Sequence, residues 1–124
     1  MLADRGLEAA ISALAARSPL HVDLTVALTA RPPAAVETAA YFVVAESLAN
    51  TGKHAGAHNV AIDLREREGD LVVRVSDDGR GGADSSGNGL GGLRRRVAAL
   101  DGTFSVTSPR GGPTTVEAVL PCAR

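Results

Sequence analysis

A carboxylate that ends an alternating stretch and precedes a glycine-rich turn is the first feature that could do chemistry. Asp77 shares the parity of Leu71 and Val75, so we expect its side chain on the covered face of a sheet. An interior carboxylate needs hydrogen-bond donors, because an unpaired buried charge is very unfavourable. Gly79 and Gly81 follow, and glycines let the backbone approach a flat ring closely. Asp77 therefore either begins an ordinary Asp-Gly turn, the commoner arrangement, or accepts a ligand donor such as an exocyclic amine.

A second group of polar residues lies at helical spacing. Glu46 and Asn50 are four residues apart, and Lys53 and His54 follow one turn later, so all four face one site on a helix. Carboxylate and amide oxygens, together with phosphate oxygens and water, are the ligands that Mg²⁺ prefers. Lys53 is the only lysine of the chain and supplies an ammonium group. The alternative is a solvated helix face, which suits Glu46 poorly because its neighbours are apolar.

A glycine-rich string then opens a helix. Gly87, Gly89, Leu90, Gly91 and Gly92 lie where exposed backbone amides at a helix start could bind an anion. The string also matches the dinucleotide pattern G-x-G-x-x-G. We reject that match, since no strand leads directly into it and the chain leaves no room for the second half of a dinucleotide fold. The string therefore predicts a loop over phosphate groups.

The elements that must position these residues follow from periodicity. Helices are predicted over 4–17, 33–55 and 90–100, and strands over 21–28, around Val60 to Leu64, over 71–77, 103–108 and 114–120. Polar residues such as Asp63 and Arg74 recur at every second strand position, which indicates a sheet with one solvated face. We predict an α+β two-layer sandwich, with a mixed β-sheet and helices on one face, rather than a doubly wound parallel fold.

Composition limits the classes of protein that are possible. The chain has 124 residues, the size of one domain, and its net charge of −1 argues against a nucleic-acid surface or a polybasic membrane patch. The longest apolar run is far shorter than the roughly 20 residues of a membrane helix. Cys122 is the one cysteine, so no internal disulfide is possible, which suits a reducing compartment. Cys122 is expected at a frayed C-terminus. Tyr41 and Phe42 are expected in the core.

The order and spacing of the three motifs carry more information than each motif alone. Glu46-x-x-x-Asn50, Asp77-x-Gly79-x-Gly81 and Gly87-x-Gly89-Leu90-Gly91 resemble the N box and the two glycine boxes of the GHKL ATPases. That superfamily includes the ATPase part of DNA gyrase, MutL and the histidine kinases. The stretch 45–50, followed by Lys53-His54-Ala55, looks like the histidine kinases. The stretch 89–97, with Gly111-Gly112-Pro113-Thr114, looks like sensor kinases of the NarL/DesK type.

The resemblance implies an ATP-binding domain with the Bergerat fold. By that resemblance Asp77 hydrogen-bonds the adenine amino group, and Gly79 and Gly81 shape the adenine pocket. Asn50 is implied as a ligand of Mg²⁺, and Glu46 as a catalytic residue near the metal or the reacting water.

The resemblance also implies a phosphate side of the site. Lys53 and His54 would reach phosphate oxygens, and the segment with Gly87, Gly89, Leu90 and Gly91 would close over them. Two departures from the family pattern stand out. Gly82 replaces an apolar residue after the first glycine box, and Thr51-Gly52 replaces the usual helix formers beside Asn50.

The implied activity is transfer of the γ-phosphoryl group of ATP to a histidine on a separate dimerisation helix, with a NarL-like response regulator as an indirect partner. His21, His54 and His58 do not lie in a phosphoacceptor context, so we expect a cytoplasmic fragment of a longer sensor kinase that does not phosphorylate itself. Two alternatives stay open. One is a stand-alone serine kinase of the anti-sigma-factor type, and the other is a non-catalytic nucleotide-sensing module.

Overall fold

A mixed sheet with helices on one side positions the residues named above. The structure is a computed structural model, and it describes residues 2–51, 58–79, 88–108 and 113–122. The elements in chain order are α1 (Leu2–Arg17), β1 (His21–Ala27), α2 (Ala34–Asn50), β2 (Asn59–Arg67), β3 (Asp70–Asp77), α3 (Asn88–Ala98), β4 (Thr103–Thr107) and β5 (Thr114–Pro121). Every predicted helix and strand is present within the described residues. The predicted continuation of the second helix over 52–55 lies outside them.

The five strands form one sheet in the order β1-β2-β3-β5-β4. β1 runs parallel to β2, whereas β2–β3, β3–β5 and β4–β5 are antiparallel pairs. A parallel pair needs a crossover between its strands, and α2 supplies that crossover between β1 and β2. The mixed sheet predicted from the alternating pattern is therefore confirmed, and β3 lies at its centre.

The core lies between the sheet and the helices. Val60, Ile62 and Leu64 of β2 are almost fully buried, and the residues between them are more exposed. The helices cover this face: α1 contacts β1, α2 contacts β3 and β5, and α3 contacts β4 and β5. Because most of the core is aliphatic, hydrophobic burial by Val, Leu, Ile and Ala supplies the main driving force for folding. No helix among the described residues has the length and apolarity to cross a membrane.

Two expectations about the core were wrong. Phe42 is 38% exposed, with the Arg96 guanidinium 4.3 Å from its ring centroid and the Tyr41 ring edge-on at 5.8 Å. A cation over an aromatic face stabilises such an exposed ring. Cys122 is buried in the core rather than frayed, and its backbone N–H donates to the Gly69 carbonyl.

A buried carboxylate joins the first helix to the second. Gly6 interrupts α1 with φ 84° and ψ 177°, a conformation that favours glycine. Leu7, the next residue, donates its backbone N–H to Glu37 Oε2 at 3.2 Å. The Nε atom of Arg31 lies 3.1 Å from the same oxygen. Glu37 thus satisfies an amide at the helix start after the kink, in the way that a capping carboxylate does.

Candidate functional site

Asp77 is the polar centre of the candidate site. It is the last residue of β3 and is 7% exposed, on the helix-covered face as its parity predicts. In the sheet it lies opposite Val60 on one side and Thr114 on the other. The Thr114 hydroxyl is paired with Ser108 at 2.6 Å. A buried carboxylate is therefore held at the end of a central strand, beside other polar groups.

Two donors among the described residues hold the Asp77 carboxylate. The Thr51 hydroxyl lies 3.0 Å from Oδ2, and the Gly79 backbone N–H donates to Oδ1 at 2.8 Å. The Gly79 bond is an Asp turn of the ordinary kind, whereas the Thr51 bond comes from the end of α2. The turn interpreted from the sequence is thus confirmed, and the role of Asp77 as an acceptor for a ligand donor stays a prediction. An ionised carboxylate can accept about four hydrogen bonds, so these two donors leave room for another.

The buried face of α2 lies beside the line of the helix that carries Glu46 and Asn50. Val43, Ser47 and Thr51 follow each other at four-residue spacing and are buried. Glu46 and Asn50 share the neighbouring line of the helix and are half-buried. The structure therefore brings Thr51 rather than Asn50 into contact with Asp77. The sequence signal for Thr51 was its departure from the usual helix formers at that position.

Ser47 adds a second hydroxyl to this helix face. It is 3% exposed, and its Oγ atom has no hydrogen-bond partner among the described residues. The Thr51 hydroxyl lies 2.9 Å from the Ser47 carbonyl oxygen as well as 3.0 Å from Asp77. Buried polar groups almost always have a partner, so an orphaned hydroxyl one helical turn from Thr51 fits a site that receives a polar ligand.

Asp78 secures the strand end that carries Asp77. Its carboxylate accepts the backbone N–H groups of His58 and Asn59 at 2.9 and 3.0 Å, and the Asn59 side-chain amide at 2.8 Å. These donors, led by Asn59, lower the pKa of the exposed Asp78 carboxyl to about 2. Asp78 therefore ties the end of β3 to the start of β2, and its acceptor capacity is used within the fold.

The remaining candidates lie partly outside the described residues. Gly89, Leu90 and Gly91 belong to the first turn of α3, and Gly91 is half-buried. Lys53, His54, Gly81 and Gly87 lie in stretches that the structure does not describe. Within the described part of the chain, no three His, Cys, Asp or Glu side chains cluster in a way that could hold a metal ion.

Comparison with known proteins identifies the family. Residues 35–124 match the family described as histidine kinase-, DNA gyrase B-, and HSP90-like ATPase. The chain belongs to this ATPase family. The match begins at the start of α2 and includes all the candidate residues named above.

Relatives of this ATPase domain include bacterial sensor kinases. The signal transduction histidine-protein kinase/phosphatase UhpB of Salmonella typhimurium is 38% identical over 82 residues, covering 64% of this chain and 16% of the relative. The sensor histidine kinase ComP of Bacillus subtilis is 34% identical, covering 90% of this chain and 16% of ComP. The sensor histidine kinase MctS of Rhizobium johnstonii is 32% identical, covering 98% of this chain and 29% of MctS. The chain thus spans less than a third of the length of these curated relatives.

Solved structures give the same assignment at the level of the fold. The blue-light activated histidine kinase of Erythrobacter litoralis superposes with a TM-score of 0.77 at 27% identity, covering 94% of this chain and 40% of that one. The Acinetobacter baumannii histidine kinase AdeS has a TM-score of 0.72 at 16% identity, covering 95% of this chain and 64% of AdeS. This similarity shows the fold alone. The predicted α+β sandwich is confirmed as the architecture of histidine kinase ATPase domains.

Proposed function

We propose that this chain is the Mg-ATP-binding catalytic domain of a sensor histidine kinase, which donates the γ-phosphoryl group of ATP to a histidine on a dimerisation helix. The observation that carries the proposal is the buried carboxylate of Asp77, held at the end of β3 against α2 in a chain of the histidine kinase-like ATPase family. The sensor histidine kinases among its relatives support the same proposal.

Asp77 is proposed to bind the adenine base. A carboxylate only accepts hydrogen bonds, and the adenine amino group is a donor. The Thr51 and Gly79 donors leave acceptor capacity on this carboxylate, so it can take a further donor without losing its place in the fold. Gly79 and Gly81 are proposed to line the flat face of the base, where a side chain would intrude.

Asn50 is proposed as the protein ligand of Mg²⁺, with Glu46 near the metal or the reacting group. Both are half-buried on one line of α2, which leaves their polar atoms reachable. Mg²⁺ is usually held in proteins by one or two side chains together with substrate phosphates and water, so a single amide and a carboxylate suffice. When bound, the metal neutralises phosphate charge, and positioning by such side chains carries most of phosphoryl transfer.

The phosphate groups are proposed to lie between the end of α2 and the start of α3. Lys53 and His54 supply cationic or donor groups after Asn50. Gly87, and Gly89 with Leu90 and Gly91 in the first turn of α3, supply backbone amides at a helix start. Helix starts attract anions because their first amides are unpaired and the helix dipole is positive there.

The proposal also covers the protein partners of the domain and its cellular location. The phosphoacceptor is proposed to be a histidine on dimerisation helices. The glycine-rich sequence around α3 resembles that of NarL/DesK-type kinases, which would make a NarL-like response regulator the indirect partner. The described strands form one sheet over one core, which supports the proposal of one catalytic domain in this chain. The use of ATP supports a cytoplasmic location.

Isothermal titration calorimetry with ATP tests the proposal. We expect Asp77→Asn to weaken binding at least about 100-fold, since the variant loses a charged acceptor and can present an amide donor to the adenine amine. Asp63→Asn is the matched control, because Asp63 lies on the opposite face of the sheet beside Arg65. Tight ATP binding by a folded Asp77→Asn protein would refute the adenine role.

The metal role is tested by repeating the titration with and without Mg²⁺. We expect Asn50→Ala to weaken binding of Mg-ATP about tenfold and metal-free ATP by much less, because only the first complex contains the lost ligand. An equal loss in both titrations would show that Asn50 acts on the nucleotide or the fold instead. A folded wild-type chain that binds no ATP would refute the proposed function as a whole.

A further inference from the structure

Thr51 is the buried side chain that links α2 to the carboxylate of Asp77. We propose that Thr51 is a positioning residue that fixes the orientation of this carboxylate and thereby favours adenine over guanine. The inference rests on the proposed function, because it assumes that Asp77 meets a nucleotide base. It adds a residue that determines base specificity.

The contacts show how the orientation is fixed. Thr51 donates toward Oδ2 at 3.0 Å, and Gly79 donates to Oδ1 at 2.8 Å, so each oxygen of the carboxylate has its own donor. The terminal torsion of aspartate is otherwise broad, and one donor alone would leave the group free to turn. Thr51 itself is stiff, since it is β-branched, 5% exposed and in helical conformation with φ −59° and ψ −44°.

The Thr51 hydroxyl also has a second acceptor. The Ser47 carbonyl oxygen lies 2.9 Å away, at the i−4 position where threonine hydroxyls commonly bond in helices. A hydroxyl carries one proton, so a bond to Asp77 competes with this local bond. The side-chain oxygen of Ser47 is buried and lacks a partner among the described residues. Two hydroxyls thus line the helix face that meets Asp77, and Thr51 is the one in contact with it.

Base discrimination follows from the chemistry of the two purines. Adenine carries an amino donor where guanine carries a carbonyl acceptor. A fixed carboxylate can pair with the first and is repelled by the second. A carboxylate that can turn is able to accept hydrogen bonds from other donors on guanine. The preference for adenine therefore falls when the orientation of the carboxylate is no longer fixed.

The experiment measures calorimetric binding of Mg-ATP and Mg-GTP to the wild-type chain and to Thr51 variants. Thr51→Val keeps the shape and removes the hydroxyl, so we expect ATP binding to weaken about tenfold, with GTP binding changed less, and the ATP-to-GTP affinity ratio to fall accordingly. Thr51→Ser keeps the hydroxyl and should retain the wild-type ratio. Thr38→Val is the matched control, because Thr38 makes the same i−4 bond on α2, to Ala34 at 3.1 Å, away from Asp77.

The outcomes separate the two levels of the proposal. A wild-type chain that binds neither nucleotide refutes the proposed function and the inference with it. A wild-type chain that prefers ATP, with an unchanged ratio in Thr51→Val, overturns only the role of Thr51. A lowered ATP-to-GTP affinity ratio in Thr51→Ser would also overturn the role of Thr51. Thr51→Ala, a better helix former without the hydroxyl, must behave like Thr51→Val and replaces it if the valine variant does not fold.

Discussion

Removal of the Glu37 carboxylate is expected to destabilise the fold where α1 meets α2. Glu37 is 3% exposed, yet it accepts the Leu7 backbone N–H from α1 and pairs with Arg31. In Glu37→Ala the Leu7 amide loses its acceptor, and the region where α1 meets α2 loses an ion pair. The variant therefore tests whether this carboxylate anchors α1 to the ATPase core.

The magnitude follows from the two contacts. A buried amide left without an acceptor destabilises by about 1–3 kcal/mol. The Arg31 side chain is 51% exposed, so its pairing contributes about 1 kcal/mol at most after solvent screening. Relief of the desolvation of Glu37 offsets part of the loss. We expect a net loss of about 2 kcal/mol, which corresponds to a Tm lower by about 8 °C for a domain of this size.

Urea unfolding and thermal unfolding, both followed by circular dichroism, measure the effect. Glu37→Gln keeps a carbonyl acceptor for the Leu7 amide and should lose only about 1 kcal/mol. Glu8→Ala, an exposed change on α1, should stay within about 0.5 kcal/mol of the wild type. If Glu37→Ala were as stable as the wild type, or Glu37→Gln as damaging as Glu37→Ala, the assignment of the amide contact as the main term would be wrong.

Two further predictions concern packing and charge. Gly102→Ala should destabilise by at least about 2 kcal/mol in urea unfolding, because its Cβ would lie 2.5 Å from the Val119 carbonyl oxygen and 2.8 Å from Val97 Cγ1. Gly92→Ala on α3, with nothing within 4 Å of the added Cβ, should instead stabilise by roughly 0.5–1 kcal/mol, and equal losses in both variants would contradict this contrast. The pKa of Asp78 is lowered from 3.8 to about 2. Its contribution to the stability of the folded state is therefore present above pH 4 and is lost as the pH falls toward 2. An NMR titration of the Asp78 carboxyl with a midpoint near 4 would be inconsistent with the contacts to Asn59.

The architecture could be predicted because it depends on local periodicity. Alternation in β2 places Val60, Ile62 and Leu64 in the core, as expected. Val72 breaks the rule: it has the parity of exposed Arg74 yet is buried, between Arg65 and Val119 on the neighbouring strands. Alternation assigns a residue to a face, but its burial there depends on cross-strand neighbours, which the pattern of a single strand does not contain.

Long-range contacts explain what the sequence could not predict about the site. The parity of Asp77 predicted its direction, but its partner Thr51 is 26 residues away, and that contact depends on how α2 is rotated against the sheet. Glu37 contacts Leu7 across 30 residues, and no local spacing signals such a pair. Phe42 was misplaced for a related reason, since the guanidinium group that covers its ring belongs to α3.

The rotation of α2 also gives neighbouring residues different surroundings. Successive residues of a helix are about 100° apart, so Asn50 and Thr51 cannot serve the same surface. Thr51 is buried against Asp77, whereas Asn50 and Glu46 remain half-buried on the adjoining line. In the proposed site, Thr51 on the face of α2 that meets the sheet thus acts in base recognition. Asn50 and Glu46, on the face that solvent can reach, act on the metal and the phosphates. We therefore expect Thr51, next to the proposed metal ligand Asn50, to alter base preference without altering the dependence on Mg²⁺, because the two side chains leave the helix in different directions.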